Sequence, residues 1–503
     1  MLGRKTFQRS KHEDASGLGA GEILRMQARC SAAVTGASAV REDTWRGLYA
    51  SGLLGRFVVL GAGIWLHAVD SLVTATIAPS IVDDLGGVAF INWTITLYEV
   101  GAIVAGAATA MLCRRAAIKR VLQLAVLCYG AGCLIAGFAP SIGVLLAGRL
   151  AQGIGGGMLL SLCYLAIQAW FEQSWWSRLF GIVAVIWGAG SLLGPLIGGI
   201  FAGLHSWRLT FFVFSIQAGV LWILALLWLP AETPTRTGRT HFPLKPLLTL
   251  MVAILLIAES SLAPSVALST LGTVLGLGVL YAAARLDAKS SSRLFPRQIL
   301  DFRHPVGAGL LMVFALSAGT TGFWAYGPLI LKILFGTQPL VSGYILAGEA
   351  IAWSLATVAV SKIPVDSDRW VIRVGATLVA LGACGFALAV PAGTLVGVIL
   401  CALLQGLGFG LCWPSIVHRL ARHCAADEQA LAVTSPETVQ RIGYAVGAAA
   451  AGIAANLSGL AAGISISAVK TASFWVFAAF VPLLLLALAG AWTFTRDAST
   501  RNH

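Results

Sequence analysis

Long apolar stretches separated by short polar connections run along the chain from about residue 56 to the C-terminal tail. Each stretch is close to the roughly 20 residues that a helix needs to cross a bilayer. The seventh and eighth are separated only by ESSLAP, residues 259 to 264, so they form a helical hairpin. The pattern predicts about fourteen transmembrane helices, at residues 56–82, 90–112, 119–139, 142–169, 179–204, 209–230, 247–263, 266–286, 305–332, 340–362, 371–390, 394–418, 439–462 and 471–494.

The composition agrees with a membrane location. Of the 503 residues, 58% are hydrophobic and 11% are charged, whereas a soluble domain carries about 25% charged residues. The sequence therefore predicts an all-α integral membrane protein, in contact with the lipid bilayer over most of its length.

The formal net charge of +13 is unevenly distributed. Basic residues collect in the N-terminal tail and in alternate connections between the predicted helices, which is the positive-inside pattern. It predicts that both termini lie in the cytoplasm, in a bacterial inner (plasma) membrane. Basic tails are attracted to anionic lipid, so we expect no nucleic acid among the partners. These residues include Arg4, Lys5, Arg9, Lys11, Arg114, Arg115, Lys119, Arg120, Arg236, Arg239, Lys245, Arg285, Lys289, Arg293, Arg297 and Arg303.

The chain carries none of the short motifs that indicate an enzyme. The nine cysteines form no CxxC pair, and the sequence has no Walker loop, HExxH or GxSxG. Cysteines placed singly within apolar helices are typical of small buried side chains. We therefore expect no enzyme activity, no cofactor, no metal and no disulfide framework.

Two segments of the chain resemble each other. GRLAQGIGGGM (148–158) and CALLQGLGFGL (401–411) share a glutamine and three glycines at an offset of 253 residues. A weaker match, at an offset of 250, aligns only Glu99 with Glu349. Two similar halves with a site between them are typical of secondary transporters. We therefore predict a basic, disordered cytoplasmic tail (1–55), a six-helix bundle (56–230), a linker with a two-helix insert (231–304), a second pseudo-symmetric six-helix bundle (305–495) and a short cytoplasmic tail (496–503).

The segment GSLLGPLIGG, residues 190 to 199, places Gly190, Gly194 and Gly198 four residues apart and adds Pro195. Glycines at this spacing lie on one helical face and allow a second helix to approach closely. Pro195 removes a backbone hydrogen bond, which a packed membrane helix tolerates. Two interpretations remain open, a seam on which the two halves pivot and a static helix contact.

Several segments, in this order along the chain, resemble motifs of the major facilitator superfamily. VDSLVTATIAP (69–79) is similar to a first-helix pattern of its fourteen-helix drug:proton antiporter branch, and it keeps Asp70 and Pro79. RLAQGIGG (149–156), with Arg149, Gln152 and Gly153, resembles the fourth-helix motif. GSLLGPLIGG, which ends at Gly199, resembles the antiporter motif of the fifth helix, and SWRLTFF (206–212) matches the start of the sixth. The resemblance implies a secondary active transporter of small molecules, which we expect to be a monomer.

One motif departs from the family pattern. The loop after the second helix, GAATAMLCRR (106–115), keeps Arg114 and Arg115 but has Ala110 where the family has an acid. In the family, that acid helps to hold the cytoplasmic side closed between conformations. The resemblance therefore does not predict how the cytoplasmic side of this protein is gated.

Ionisable residues inside the predicted helices are candidates for proton coupling, because a charge in hydrocarbon is costly unless it is paired or faces water. Asp70, Glu99, Arg149 and Glu349 all lie near the middle of their helices. Glu99 is our first candidate for the proton carrier and Asp70 the second, while Glu349 could contact a cation or carry a second proton. Arg149 is too basic to release its proton and should pair with one of the acids, and a permanent ion pair is the alternative to a coupling role.

Aromatic residues in the helices that line the cavity, by analogy with the family, are candidates for substrate contact. Apolar walls with a few polar groups are typical of ligand cavities, and aromatic rings beside carboxylates suit lipophilic cations. His67, one turn from Asp70, could relay protons or be a structural hydrogen-bonding residue. The predicted cavity residues are Trp65, Tyr98, Trp187, Phe323, Trp324, Tyr326 and Gln405.

These features predict proton-coupled efflux of lipophilic or cationic small molecules by alternating access. Three alternatives remain open at this stage: a proton symporter for uptake, an exporter of a specific metabolite or siderophore, and a membrane receptor or assembly protein that does not transport.

Overall fold

The computed structural model describes residues 52–230, 243–290, 293–360, 363, 367–425 and 428–496. The predicted tail at 1–55 lies almost wholly outside these residues, as does most of the C-terminal tail. The described chain forms fifteen α-helices: α1 (Leu53–Leu85), α2 (Ile91–Arg115), α3 (Ile118–Gly137), α4 (Ile142–Trp170), α5 (Gln173–Gly203), α6 (Trp207–Trp228), α7 (Leu244–Glu259), α8 (Val266–Lys289), α9 (Pro305–Phe335), α10 (Pro339–Val360), α11 (Asp368–Ala389), α12 (Leu395–His423), α13 (Gln429–Leu457), α14 (Ile466–Ala478) and α15 (Val481–Phe494).

The prediction of fourteen membrane helices is confirmed. Thirteen segments of the described chain are long and apolar enough to cross a membrane, and α14 and α15 together form one of them, Ile466–Phe494. The remaining helix, α13, is not among these thirteen segments and carries Glu437 and Arg441. It begins at Gln429, ten residues before the predicted start at 439, and it includes Pro436 and Glu437.

The helices pack in two groups, each around its own apolar core. In the first half, α1–α6, the core is built from buried side chains between Phe57 and Leu229. In the second half, α9–α15, most of the core comes from residues after Val306. The insert, α7 and α8, packs through α7 against α13 and α2. Direct contact between the halves comes mainly from α5 with α10 and from α2 with α13.

Helices α2, α3 and α4 pack together as α10, α11 and α12 do. A Cβ on Gly153 of α4 would lie 2.0 Å from the carbonyl oxygen of Tyr98, and a Cβ on Gly406 of α12 would lie 1.9 Å from that of Glu349. Only glycine permits backbones to approach this closely. Tyr98 is therefore the structural counterpart of Glu349, at an offset of 251, and the sequence alignment of Glu99 with Glu349 is wrong by one residue.

The GSLLGPLIGG segment has two packing faces. Cβ atoms on Gly190, Gly194 and Gly198 would lie 3.0 to 3.2 Å from side chains of α1, so this face holds α5 against a helix of the same half. The other face meets α10 of the second half, where a Cβ on Gly199 would lie 2.7 Å from Cα of Leu340. Pro195 Cβ lies 2.8 Å from the position of a Cβ on Gly343. The motif therefore makes a contact within one half on one face and a contact between the halves on the other, and its role as a pivot remains a prediction.

The halves meet at the end of the bundle where α1 and α5 finish and α2 and α10 begin. There Asn456 of α13 donates to the carbonyl oxygens of Ala89 (3.0 Å) and Ser261 (2.9 Å), and Lys332 pairs with Asp83. A Cβ on Gly452 of α13 would also meet the Asn92 side chain. These contacts hold the halves together at the end of the bundle opposite the first described residue of α1.

Candidate transport site

A buried ion pair lies within the first half. Arg149 Nη1 donates to Asp70 Oδ2 at 2.8 Å and to Gln152 Oε1 at 2.9 Å, and the side chains of Arg149 and Asp70 are only 3% and 0% exposed. The guanidinium also lies over the Tyr98 ring, 4.4 Å from its centroid. Gln152 Nε2 reaches Asp70 Oδ1 at 3.5 Å and Cys133 Sγ at 3.1 Å. Arg149 thus pairs with Asp70 inside the first half, and both the ion-pair and the coupling interpretations of these residues remain predictions.

The RLAQGIGG segment builds this cluster. Arg149 and Gln152 face the same neighbours because residues three apart lie side by side on a helix. Gly153 brings α4 against the backbone of Tyr98, as described above. Gly156 leaves room for a contact between two other side chains, since its Cβ would lie 2.6 Å from the Tyr98 hydroxyl and 2.9 Å from His67 Nδ1.

A second charged cluster connects the two halves. Arg441 of α13 donates from Nη1 to Glu99 Oε2 of α2 at 3.1 Å. Its Nη2 donates to Glu437 Oε1 and to His67 Nε2, each at 3.1 Å. The side chains of Arg441 and Glu99 are each 12% exposed, more than Asp70 and Arg149. This ion pair therefore bridges the halves and is less completely enclosed than the pair of Arg149 and Asp70.

The hydrogen bonds fix the tautomer of His67. Arginine only donates, so His67 Nε2 accepts from Arg441 and the ring proton sits on Nδ1. Nδ1 then donates to the Tyr98 hydroxyl at 2.6 Å. Trp187 meets the imidazole edge-on, with ring centroids 5.6 Å apart. The predicted residues Tyr98 and Trp187 are thus brought together with His67 and, through Arg441, with Glu99.

Glu349 lies in a different setting in the second half. It is 4% exposed, and Trp324 Nε1 donates to its Oε2 at 2.9 Å. In the described part of the chain, no basic side chain forms an ion pair with Glu349. A carboxylate held only by an indole N–H retains acceptor positions for a proton or a cation.

The other predicted residues occupy several environments. Phe323 stacks on Phe386 at 4.3 Å in the apolar core, and Trp65 packs against the core of the first half. Tyr326 and Gln405 are buried, and the Tyr326 hydroxyl and Gln405 Oε1 lack a partner among the described atoms. Arg115 is exposed at the end of α2, and the side chain of Arg114 lies outside the described residues.

Sequence reasoning missed Arg441 and Glu437. Arg441 falls just inside the predicted helix 439–462, so it resembled a charge at the membrane surface. In the structure, α13 begins at Gln429 and Arg441 lies well inside it. A basic residue within a predicted span, near two midplane acids in other helices, was the signal available to find it.

Comparison with known proteins places the chain in a family. Residues 60–364 match the family model described as Major Facilitator Superfamily. The chain is 30% identical over 441 residues to the "Probable multidrug-efflux transporter Rv1634" of Mycobacterium tuberculosis (strain ATCC 25618 / H37Rv), covering 83% of this chain and 91% of that protein. It is 25% identical over 352 residues to the "Multidrug efflux pump SdrM" of Staphylococcus aureus (strain N315), covering 69% and 77%.

Solved structures show the same fold at low sequence identity. The nucleoside transporter NupG superposes with a TM-score of 0.60 at 12% identity, over 88% of this chain and 99% of that one. A D-xylose-proton symporter gives a TM-score of 0.63 at 15% identity, over 88% and 98%. The family match, the relatives and the fold agree, and the protein belongs to the Major Facilitator Superfamily of membrane transporters.

Proposed function

We propose that this transporter exports lipophilic or cationic small molecules in exchange for protons, by alternating access between its two halves. The observation that carries the proposal is the ion pair between Glu99 and Arg441, which joins α2 to α13. The names of the relatives support the efflux direction, and the aromatic residues around Glu349 and His67 support the substrate class.

Glu99 is the proton carrier in this proposal. Its charge attracts Arg441 across the interface, and protonation of the carboxylate removes that attraction. A proton on Glu99 would therefore loosen the contact between the halves, and its release would restore it. Asp70 is less suited to this role, because Arg149 and Gln152 already satisfy it within one half.

Glu349 and Trp324 supply the contact for a cationic substrate. The carboxylate provides charge, and the indole that holds it provides an aromatic face for cation–π contact. Because Glu349 has Tyr98 as its counterpart in the other half, the two halves offer different chemistry to the substrate, an acid on one side and a phenol with His67 on the other.

The transport cycle follows from these positions. In this proposal both termini lie in the cytoplasm, so the end at which the halves are held together faces outward. Substrate enters from the cytoplasm and binds near Glu349. The halves then rock, a proton from outside binds Glu99 and the substrate leaves. When the halves rock back, Glu99 releases this proton to the cytoplasm and pairs with Arg441 again. A ligand shifts such an equilibrium only through its different affinity for the two states.

Proton movement in everted vesicles tests this proposal. Respiration acidifies the lumen, a panel of lipophilic cations and matched neutral compounds is added, and luminal pH is followed. Wild type should release protons on addition of cations, and Glu99→Gln should not. Glu259→Gln, an exposed glutamate at the end of α7, is the matched control and should behave as wild type.

Two results would overturn the proposal. Proton release that survives Glu99→Gln would remove Glu99 as the carrier. Absence of any response in wild type, with the protein inserted and folded, would favour an exporter of a specific metabolite or siderophore, or a proton symporter for uptake.

A further inference from the structure

A cavity of about 220 Å³ lies between the insert and the second half. Its walls come from α7, α8, α9, α13 and the connection after α8, and they are almost entirely apolar. Leu250, Tyr281, Phe295, Leu310 and Ile442 are among them. The cavity lies toward the end of the bundle where α7 begins and α8 finishes, the end at which α1 also begins.

The cavity opens sideways toward the surface that faces lipid. Three of its lining residues are large and exposed: Leu277 by 45%, Tyr281 by 54% and Phe302 by 49%. Leu277 lies well inside the apolar segment Val266–Lys289, where in a bilayer an exposed side chain faces acyl chains rather than water. Phe302 lies in the connection before α9, closer to the membrane surface. A lipid chain can therefore enter the cavity without crossing water.

Basic side chains continue the lining of the cavity toward the membrane surface. Leu277, Tyr281, Arg285 and Lys289 follow one another at four-residue intervals on α8, so they share one face. The first two line the cavity, and the last two are exposed beyond it. The Arg285 guanidinium lies 5.6 Å from the centroid of the Tyr281 ring. From the interior outward, this side of α8 is apolar, then aromatic and then basic. Its inner part therefore complements the acyl chain of a phospholipid, and its outer part complements the phosphate.

The acids near this rim are already engaged by the protein. Asp287 accepts from the backbone N–H groups of Leu294 (2.8 Å) and Phe295 (3.0 Å). Glu428 accepts from Arg293 and from the backbone N–H of Arg297 at 3.3 Å. Asp301 Oδ1 accepts from the backbone N–H of Arg303 at 3.0 Å.

Two exposed basic side chains, Arg285 and Lys289, continue from the cavity lining along α8. The acids close to them in sequence or in the cavity wall already accept hydrogen bonds from the protein, as described above. These two side chains therefore give this side of the cavity mouth a positive charge. The complementary ligand therefore carries a negative charge above an apolar chain.

We propose that this cavity binds an anionic phospholipid, with one acyl chain between the insert and the second half and its phosphate against Arg285 and Lys289. Juxtamembrane basic clusters recognise anionic head groups in this way. Glu99, Arg441 and Glu349 do not line the cavity, so lipid binding can be tested whether or not the proposed antiport is correct.

Native mass spectrometry of the delipidated full chain in detergent tests the site. The protein is incubated with equal amounts of dioleoyl-phosphatidylglycerol and dioleoyl-phosphatidylcholine, which share acyl chains and differ in charge. Arg285→Gln/Lys289→Gln removes the two basic groups. Arg120→Gln/Arg422→Gln removes two exposed charges at the same end of other helices and is the matched control. Ala284→Phe fills the cavity and leaves the charges in place.

The expected result is preferential retention of phosphatidylglycerol by wild type and by the control. Arg285→Gln/Lys289→Gln should reduce the preference by about 30-fold, because each basic residue near the surface contributes roughly a factor of five. Ala284→Phe should reduce retention of both lipids. Equal retention of the two lipids by wild type would overturn the proposal, as would equal loss in the control. Retention of an uncharged long-chain alcohol as strong as that of phosphatidylglycerol would also overturn it.

Discussion

The close approach of α10 and α12 at Glu349 makes a sharp prediction for Gly406→Ala. The added Cβ would lie 1.9 Å from the Glu349 carbonyl oxygen and 2.7 Å from its carbonyl carbon. Backbone atoms cannot rotate away, and real Cβ contacts are not closer than 3.0 Å, so the helices must separate by more than 1 Å. Overpacking of this kind costs about 1–3 kcal/mol. Because Glu349 lies on the displaced helix α10, the separation also disturbs the 2.9 Å hydrogen bond that it accepts from Trp324 of α9.

Thermal unfolding in detergent, followed by the amount of monodisperse protein after heating, measures the cost. Gly406→Ala should lower the midpoint by a few degrees and weaken binding of a lipophilic cation. The control is Gly219→Ala on α6, where an added Cβ has nothing within 4 Å and Ala is favoured by about 0.5–1 kcal/mol in a helix. Gly153→Ala, the repeat counterpart, should behave like Gly406→Ala. A midpoint for Gly406→Ala equal to that of the control would refute the described packing.

Three further predictions concern the charged residues. Asp70→Asn leaves Arg149 buried without its counter-charge and should lower the free energy of unfolding by about 3–5 kcal/mol. In the same unfolding assay, Asp70→Asn/Arg149→Gln should recover most of the lost stability. Additive losses from the two substitutions would show that Asp70 and Arg149 are not coupled. Glu349→Gln should weaken binding of a permanently charged cation at least tenfold, since two opposite unit charges about 4 Å apart attract by about 4 kcal/mol at an effective dielectric constant of about 20. A neutral compound of equal size should be unaffected in the same tryptophan-quenching titrations, and equal losses for both compounds would contradict a charge contact. Arg441→Gln should abolish cation-triggered proton release in vesicles while the cation still binds, and Arg441→Lys should retain part of the proton release. Loss of cation binding in Arg441→Gln would instead indicate a structural role for Arg441.

The sequence predicted the number and order of the helices because each helix that crosses a bilayer needs its own apolar stretch of about 20 residues. It was less accurate where polar residues belong to the protein interior. Pro436, Glu437 and Arg441 resembled a helix boundary, yet α13 runs through all three, since the neighbouring half supplies His67 and Glu99 as partners. A side chain satisfied by a distant segment carries no local signal of that contact.

The candidate site shows the same division. The spacing of Gly190, Gly194 and Gly198 correctly indicated a close helix contact, which they make with α1. The still closer backbone contacts at Gly153 and Gly406 were visible only in the structure. The register of the repeat could not be read from the acids, because Glu99 and Glu349 are one residue out of phase. Backbone packing defines the repeat, whereas the side chains at Tyr98 and Glu349 have diverged. Arg149 could be expected to pair with an acid, but which acid depended on how α1 packs against α4.

Helix α13 links the proposed lipid site to the proposed proton carrier. Val439 and Ile442 line the lipid cavity, while Arg441, between them, reaches Glu99. A movement of α13 that breaks the Arg441 contact also reshapes the cavity wall. Coupling between two binding equilibria is reciprocal, so a change at Glu99 must alter lipid affinity if the lipid prefers one position of α13.

Glu99→Gln imitates the protonated acid and should therefore change the retention of phosphatidylglycerol relative to wild type, even though residue 99 does not line the cavity. Native mass spectrometry measures this directly, and Glu259→Gln is the control for loss of one negative charge. A shift in Glu99→Gln alone would show that α13 transmits the charge state of Glu99 to the lipid site. Equal retention in all three proteins would show that the charge state of Glu99 does not reach the lipid site through α13.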